Sequence, residues 1–330
     1  MTHALELQGV RKTFGSKVAV ENLDLTIEAG GLYGLIGPNG AGKTTSIRII
    51  MSIIFPDAGR VAVLGRASAV ESKDRIGYLP EERGLYKKMR VGAFLQYIAH
   101  LKGVPQGDVG SLVKRWLDKV GLSDCARKRC EELSKGMQQK VQFIASVIHE
   151  PDLLILDEPF SGLDPVNARL LRELILEQHA QGRTIIFSTH QMSQAESLCD
   201  RIIMIHQGRK VLDNTPEEIA RTHDPRSLLV EPAGELTEEA LRTLGQAPGA
   251  AGADRSGRFA LIHAADGHPV HALIPDIAQR LPMRRVEVVR PTLEDIFIAI
   301  VQGKGASAAE REALLASLRS SATASDGSGD

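Results

Sequence analysis

The chain has 330 residues and a formal net charge of −1, with 43% hydrophobic and 25% charged residues, ordinary values for a globular protein with room for one large domain and a smaller one. The balanced charge gives no global field toward nucleic acid or an anionic membrane surface, and aromatic residues at 4% offer little to stack bases on. Cys125, Cys130 and Cys199 are the only cysteines, an odd number that fits a reducing cytosol, and Cys125 and Cys130 lack the companions that would complete a zinc site.

The N-terminal residues lack a signal peptide's apolar region, and no stretch reaches the roughly 18 consecutive apolar residues of a membrane span. Service to a membrane would therefore run through a partner. Residues 4 to 10 and 18 to 27 alternate apolar and polar side chains, as half-buried strands do. Leu32 to Ile36 is a short apolar run ending in a Gly-rich turn, and Lys43 to Ile54 carries a helical pattern, with Ile47, Ile50 and Ile54 on one side. From Leu85 to Val120 the pattern is mainly helical, with Phe94, Ile98 and Leu101, then Leu112, Trp116 and Val120, at three- and four-residue steps. This reads as an inserted helical subdomain. A helix over 136–150 precedes a nearly continuous apolar run, Asp152 to Leu156, of the kind a buried parallel strand shows. A helix at 165–181, a strand at 184–188, a helix at 192–199 and a strand at 201–206 complete an α/β domain with a mostly parallel sheet.

That domain is expected to end by Thr222, with its helical subdomain at about 85–150. Residues 223–303 read as a small C-terminal α/β domain, with strands at 227–230, 259–263 and 285–289 and helices at 236–245, 270–280 and 292–302. Residues 304–330 are rich in Ala, Ser and Gly and read as a flexible tail, with a transient helix over Ala309 to Leu318.

Gly37-Pro38-Asn39-Gly40-Ala41-Gly42-Lys43-Thr44 matches the phosphate-binding loop pattern and lies between a predicted strand and a predicted helix. Glycines let the backbone curl its N–H groups toward phosphate oxygens, and the helix that follows presents free amides and the positive end of its dipole. Lys43 can reach the β- and γ-phosphates, Thr44 can hold Mg²⁺, and Thr45 is placed for the α-phosphate. The run Leu153-Leu154-Ile155-Leu156 leads into Asp157-Glu158, two carboxylates whose burial costs free energy. Taken alone they could form a helix cap or a turn. Beside a phosphate loop, Asp157 suits the Mg²⁺ shell and Glu158 suits proton abstraction from an attacking water.

Leu133-Ser134-Lys135-Gly136-Met137-Gln138-Gln139 resembles the signature motif of ABC ATPases, and Ser161-Gly162-Leu163-Asp164 resembles that family's D-loop. His190 stands where the family has its switch histidine, and Phe14 where it has an aromatic residue against adenine. The motifs occur in family order over roughly residues 4 to 215. The resemblance implies a P-loop NTPase fold of the ABC ATPase type. It implies ATP and Mg²⁺ as ligands, and head-to-tail pairing of two ATPase subunits around each ATP. Ser134 and Gly136 of one protomer would then face the γ-phosphate held by the other's Lys43. Asp164 would cross the interface, and His190 would position Glu158 and its water. By themselves His190 would read as a structural histidine and Phe14 as core.

Two motifs depart from the family pattern. Lys135 and Met137 replace the usual Gly and Gln of the signature, and Lys135 is expected to point to solvent. Glu81 follows Ile76-Gly77-Tyr78-Leu79-Pro80 where the family has Gln. Its carboxylate suits Mg²⁺ but cannot donate as an amide does, and a plain surface Glu is the alternative. The whole sequence is most similar to the drug- and sodium-efflux subgroup, in which the ATPase pairs with a separate polytopic type-2 permease. Arg290 to Phe297 resembles the end of that subgroup's accessory domain, whose role would be regulatory or dimer-stabilising. The expectation is therefore an ATP-hydrolysing homodimer at the cytoplasmic face of a membrane, with residues 85–130 gripping the permease and no nucleic-acid partner. A soluble ABC ATPase acting on ribosome or DNA is the alternative, and a non-hydrolysing ABC-fold regulator is the other.

Overall fold

The computed structural model describes residues 3–82, 84–222, 227–265 and 267–302. The tail and its expected helix over Ala309 to Leu318 lie outside the described residues. Two compact units meet in sequence between Pro216 and Glu217.

In chain order the first unit runs β1 (His3–Phe14), β2 (Lys17–Glu28), β3 (Leu32–Ile36), α1 (Lys43–Ile50), β4 (Ala58–Val63), β5 (Ile76–Leu79), α2 (Val91–Leu101), α3 (Gln106–Lys119), α4 (Lys135–Val147), β6 (Leu153–Asp157), α5 (Pro165–Ala180), β7 (Thr184–Thr189), α6 (Met192–Leu198), β8 (Arg201–His206) and β9 (Arg209–Asn214). Six strands form one sheet in the order β5-β6-β7-β3-β8-β9. All its pairings are parallel except β8 with β9. Every residue of β3, β6 and β7 is buried, as strands covered on both faces must be. β2, β1 and β4 make a separate antiparallel sheet in that order. One apolar core joins Leu5, Leu7, Val20 and Leu23 of this small sheet to Ile47 and Ile50 of α1 and Ile155 and Ile186 of the parallel sheet.

The parallel order places the C-terminal ends of β3, β6 and β7 side by side, where ligands of open α/β sheets bind. Gly77 shows how tightly the edge is packed: a Cβ there would stand 2.0 Å from the Ser146 carbonyl of α4. α1 stops at Ile50 rather than continuing to Ile54, because Ser52 adopts a left-handed φ of 56°. Ile54 still packs on the core, which is why the apolar spacing outruns the helix. Residues 85–90 form a loop rather than the start of a helix. Its Tyr86 sets edge-on contacts with Phe94 and Tyr97 of α2. Trp116 of α3 is half-buried, with the Lys119 ammonium 5.0 Å from its ring centroid.

The helix α7 (Pro216–Thr222) spans the junction. The second unit continues with β10 (Ser227–Pro232), α8 (Glu238–Gly245), β11 (Ala250–Ser256), β12 (Phe259–Ala264), α9 (Leu273–Arg280), β13 (Met283–Val289) and α10 (Leu293–Gln302). Its sheet has the order β11-β12-β10-β13 and is antiparallel throughout. It contains a fourth strand, β11, that the sequence pattern does not reveal. Leu228, Val230, Ala260 and Ile262 alternate inward and pack with Leu244, Leu273 and Ile277 of the helices, the one-sided burial expected of an antiparallel sheet.

Candidate nucleotide site

The phosphate loop leaves β3 at Gly37, whose φ of +151° and close neighbour, the Ile205 carbonyl 2.2 Å from any Cβ, admit only glycine. Asn39 and Gly40 are exposed at the tip and Pro38 is half-buried. The Ala41 amide donates to the Pro38 carbonyl at 3.1 Å. Gly42 has a φ of +109°, and a Cβ there would meet the Ala19 carbonyl of β2 at 2.5 Å. The turn after β8 props the loop from outside, with the Gly208 amide donating to the Ala41 carbonyl at 2.8 Å. α1 then opens with no acidic residue in its first turn, so nothing offsets the positive end of its dipole.

Lys43 is buried, and its ammonium donates to the Gly37 carbonyl at 2.8 Å and the Pro38 carbonyl at 3.3 Å. Burial pulls its pKa down, while the charges of Glu158, Asp157 and Glu81 push it back up. Its nitrogen lies 3.8 Å from Glu158 Oε1. Thr44 donates to Asp157 Oδ1 at 3.4 Å. Thr44 and Thr45 are both half-buried.

Asp157 ends β6 and is buried. Its Oδ1 also accepts from the Ser188 hydroxyl at 2.5 Å, while its buried Oδ2 has no protein partner among the described residues. Burial, aided by the charges of Glu81 and Glu158, raises this carboxyl, against the lowering effect of the Ser188 and Thr44 hydroxyls. Glu158 follows with a left-handed φ of 49°, a conformation worth roughly 1–2 kcal/mol of strain for a residue with a Cβ. Its amide donates to the Ser188 carbonyl at 3.2 Å and the Ser188 hydroxyl at 3.1 Å. The turned backbone aims its carboxylate at His190, whose Nδ1 lies 3.0 Å from Oε1. Lys43, Thr44, Asp157, Glu158 and His190 thus form one connected cluster, brought from β3–α1, β6 and the end of β7.

Glu81 is exposed in the loop after β5, and its charge acts on both Lys43 and Asp157. Phe14 ends β1 with 51% of its surface exposed. Ser134, Gly136 and Asp164 are not part of the buried cluster. Ser134 caps α4 by accepting from the Met137 amide at 3.3 Å, and Lys135 is exposed. Asp164 caps α5, accepting from the Val166 and Asn167 amides at 3.0 Å each. Asn167 lies so close to Gly136 that a Cβ there would stand 2.8 Å from its amide nitrogen, so these two helix starts adjoin.

Sequence reasoning missed Ser188, which is wholly buried and ties Asp157 to the Glu158 backbone. The signal was present: a hydroxyl in the apolar run Thr184-Ile185-Ile186-Phe187 needs a buried partner. Gln139 and Gln142 were missed too. They donate to the Pro159 and Glu82 carbonyls, at 3.0 and 3.3 Å, and hold the loops that flank the cluster. The orphaned Asp157 Oδ2, the adjacent Thr44 hydroxyl and the nearby Glu81 charge make an oxygen-rich donor set that fits a hard divalent cation.

The family model described as ABC transporter matches residues 20–161. The model described as ATP-binding protein DrrA1-3-like, C-terminal domain, matches residues 215–301. The chain is 38% identical over 302 residues to the uncharacterised ABC transporter ATP-binding protein YhaQ of Bacillus subtilis, spanning 89% of this chain and 97% of the relative. The chain belongs to the ABC transporter ATP-binding proteins. This ABC ATP-binding protein is also 33% identical to the Nod factor export ATP-binding protein I of Ralstonia nicotianae, over 91% of this chain and 94% of the relative. A solved ATP-binding subunit of an ABC transporter matches it with a TM-score of 0.62 and 31% identity, over 66% of this chain and 92% of the other. As a member of this family the protein binds and hydrolyses ATP. Among the described residues, no helix is long and apolar enough to cross a membrane.

Proposed function

We propose that this ABC ATPase powers export through a separate polytopic type-2 permease, acting as a homodimer at the cytoplasmic face of the membrane. The observation that carries the catalytic part is the placement of the Glu158 carboxylate between the Lys43 ammonium and the His190 ring, 3.8 and 3.0 Å away. Glu158 takes a proton from the attacking water. His190 holds that carboxylate in place and reaches for the γ-phosphate. Lys43 and the amides of Gly40 and Gly42 face the phosphates, and Phe14 stacks on the adenine. Bound Mg²⁺, held by Thr44, Asp157 and Glu81, would neutralise charge on the phosphate oxygens. Catalysis is positioning and charge stabilisation.

Ser134, Gly136 and Asp164 serve the partner protomer's nucleotide. The exposure of Ser134 and Asp164, and the place of all three at helix starts, support that reading. The similarity to an export ATP-binding protein supports the direction of transport, and the exposed Tyr86 and Tyr97 of the helical insert offer an apolar face to a permease. The accessory unit, residues 223–303 in this reading, regulates or steadies the dimer. The relatives reported above are transporter proteins, which leaves a ribosome- or DNA-directed role unsupported. The test is affinity capture of the Glu158→Gln protein from native membranes with ATP present, followed by mass spectrometry. A co-purifying polytopic membrane protein is the expected result. Ribosomal or DNA-repair proteins, with no membrane protein, would overturn the transport reading.

A further inference from the structure

The last three residues of β1 before Phe14 are held in an unusual way. β1 pairs with β4 only as far as Arg11, opposite Ala58. Beyond that point the ladder on this side is replaced by one residue, Asp57, which immediately precedes β4. Its amide donates to the Arg11 carbonyl at 2.8 Å. Its Oδ1 accepts from the Lys12 ammonium at 2.8 Å, and its Oδ2 accepts from both the amide and the hydroxyl of Thr13 at 2.7 Å. These donors, Lys12 foremost, hold the Asp57 carboxyl far below the usual carboxylate range. A single residue therefore grips three consecutive residues, Arg11 through its amide and Lys12 and Thr13 through its carboxylate, and leaves the next, Phe14, free to project.

The Lys12 ammonium, tethered in this way, lies 5.6 Å from the Phe14 ring centroid, within the range of a cation–π contact. On its other side β1 pairs with β2, Phe14 opposite Lys17 and Thr13 opposite Val18. The next residue of β2 is Ala19, whose carbonyl lies against Gly42 of the phosphate loop. The hairpin that carries Phe14 is thus docked on the phosphate loop by one strand and clamped by Asp57 on the other. Exposed aromatic rings that receive a ligand lose affinity if they must first be ordered, and this clamp removes that need.

We propose that Asp57 is a positioning residue for the nucleotide, fixing Phe14 as the platform for the base through Lys12 and Thr13. This inference rests on the reading of Phe14 as the adenine-stacking residue. It predicts an effect on the base and none on the phosphates. The experiment compares binding of ATP and of inorganic tripolyphosphate to the purified full chain by calorimetry. Asp57→Ala should weaken ATP about three- to tenfold, a fraction of what a stacked base contributes, and leave tripolyphosphate unchanged. Lys12→Met and Thr13→Val, which each remove one arm of the clamp, should give smaller losses of the same kind, and they serve should Asp57→Ala not fold. Placed in a Phe14→Ala background, Asp57→Ala should cause no further loss, as two residues acting through one contact require. Equal weakening of ATP and tripolyphosphate, a full loss persisting without Phe14, or unchanged ATP binding in all three clamp variants would overturn the assignment. If Phe14→Ala itself leaves ATP binding unchanged, the platform reading falls. If Phe14→Ala weakens ATP and the clamp variants do not, Asp57 alone is dismissed.

Discussion

The C-terminal end of β6 and the N-terminal end of α4 both present short polar residues, under opposite conditions. At β6 Asp157 and Glu158 are buried, and the Ser188 hydroxyl joins them by donating to the Asp157 carboxylate and accepting from the Glu158 amide. At α4 Ser134 and Lys135 are exposed, and the serine satisfies an amide of its own helix. Buried polar groups carry energy that the fold must offset, so their partners are specific and their removal is felt throughout the unit. Exposed capping groups cost the monomer little, so their wider use depends on what docks there. The first region is complete within one chain, and the second is complete only as a helix cap.

Substitutions can break this contrast or sharpen it. Glu158→Gln should have the largest effect, lowering phosphate release at least about a hundredfold while ATP binding, followed by competition with a fluorescent analogue, persists. Retained hydrolysis would mean that the buried carboxylates are not the seat of the chemistry. Asp157→Asn should also lower hydrolysis, by about a hundredfold, yet raise the urea midpoint at pH 7. The sign follows from the raised carboxyl: the native state holds its proton more tightly than the unfolded chain does, so stability falls as pH rises above the ordinary 3.8. Removing the carboxylate removes that decline, and the gap between variant and parent should close toward acid pH. A variant no more stable than the parent at pH 7 would mean that Asp157 is not under electrostatic load.

Ser188→Ala comes next. It removes the hydroxyl that donates to Asp157 Oδ1 and accepts from the Glu158 amide, leaving them only the longer bonds to Thr44 and to the residue-188 carbonyl, for a loss of about 1–3 kcal/mol in denaturant unfolding, as for a hydrogen bond to a charged group. Manganese binding by the ATP complex, read by electron paramagnetic resonance, should weaken in parallel. Ser134→Ala should be mildest, about 0.5–1 kcal/mol for a lost cap, with ATP binding to the single chain unchanged. Under the homodimer reading it should nonetheless slow hydrolysis, most visibly at high protein concentration. Equal stability losses for Ser134→Ala and Ser188→Ala would erase the contrast.

The same contrast explains what could be read from the sequence. β3, β6 and β7 are covered on both faces, so their runs are apolar and plain, and the motif residues at their ends could be placed beforehand. The strands that escaped notice are β4, β5, β9 and β11, and each lies at the edge of its sheet. An edge strand is exposed along one side and needs no continuous apolar run. Arg209-Lys210-Val211-Leu212-Asp213-Asn214 of β9 and Ala253-Asp254-Arg255-Ser256 of β11 show none. Ser188 escaped for a different reason: its partners are 30 and 31 residues away in sequence, and only the β6–β7 pairing brings them near. Asp57 is similar, since the ladder it replaces is visible only once β4 is known to stop opposite Arg11.

Trp116 on α3 is the single tryptophan of the whole chain, and it sits in the helical insert rather than in the parallel sheet or the C-terminal unit. The protein therefore carries its own optical label at one address. Emission excited at the indole reports the melting of the helices around α3, whereas far-ultraviolet circular dichroism sums over both units. A difference between the two unfolding curves would measure, with no added dye, how far the units unfold apart.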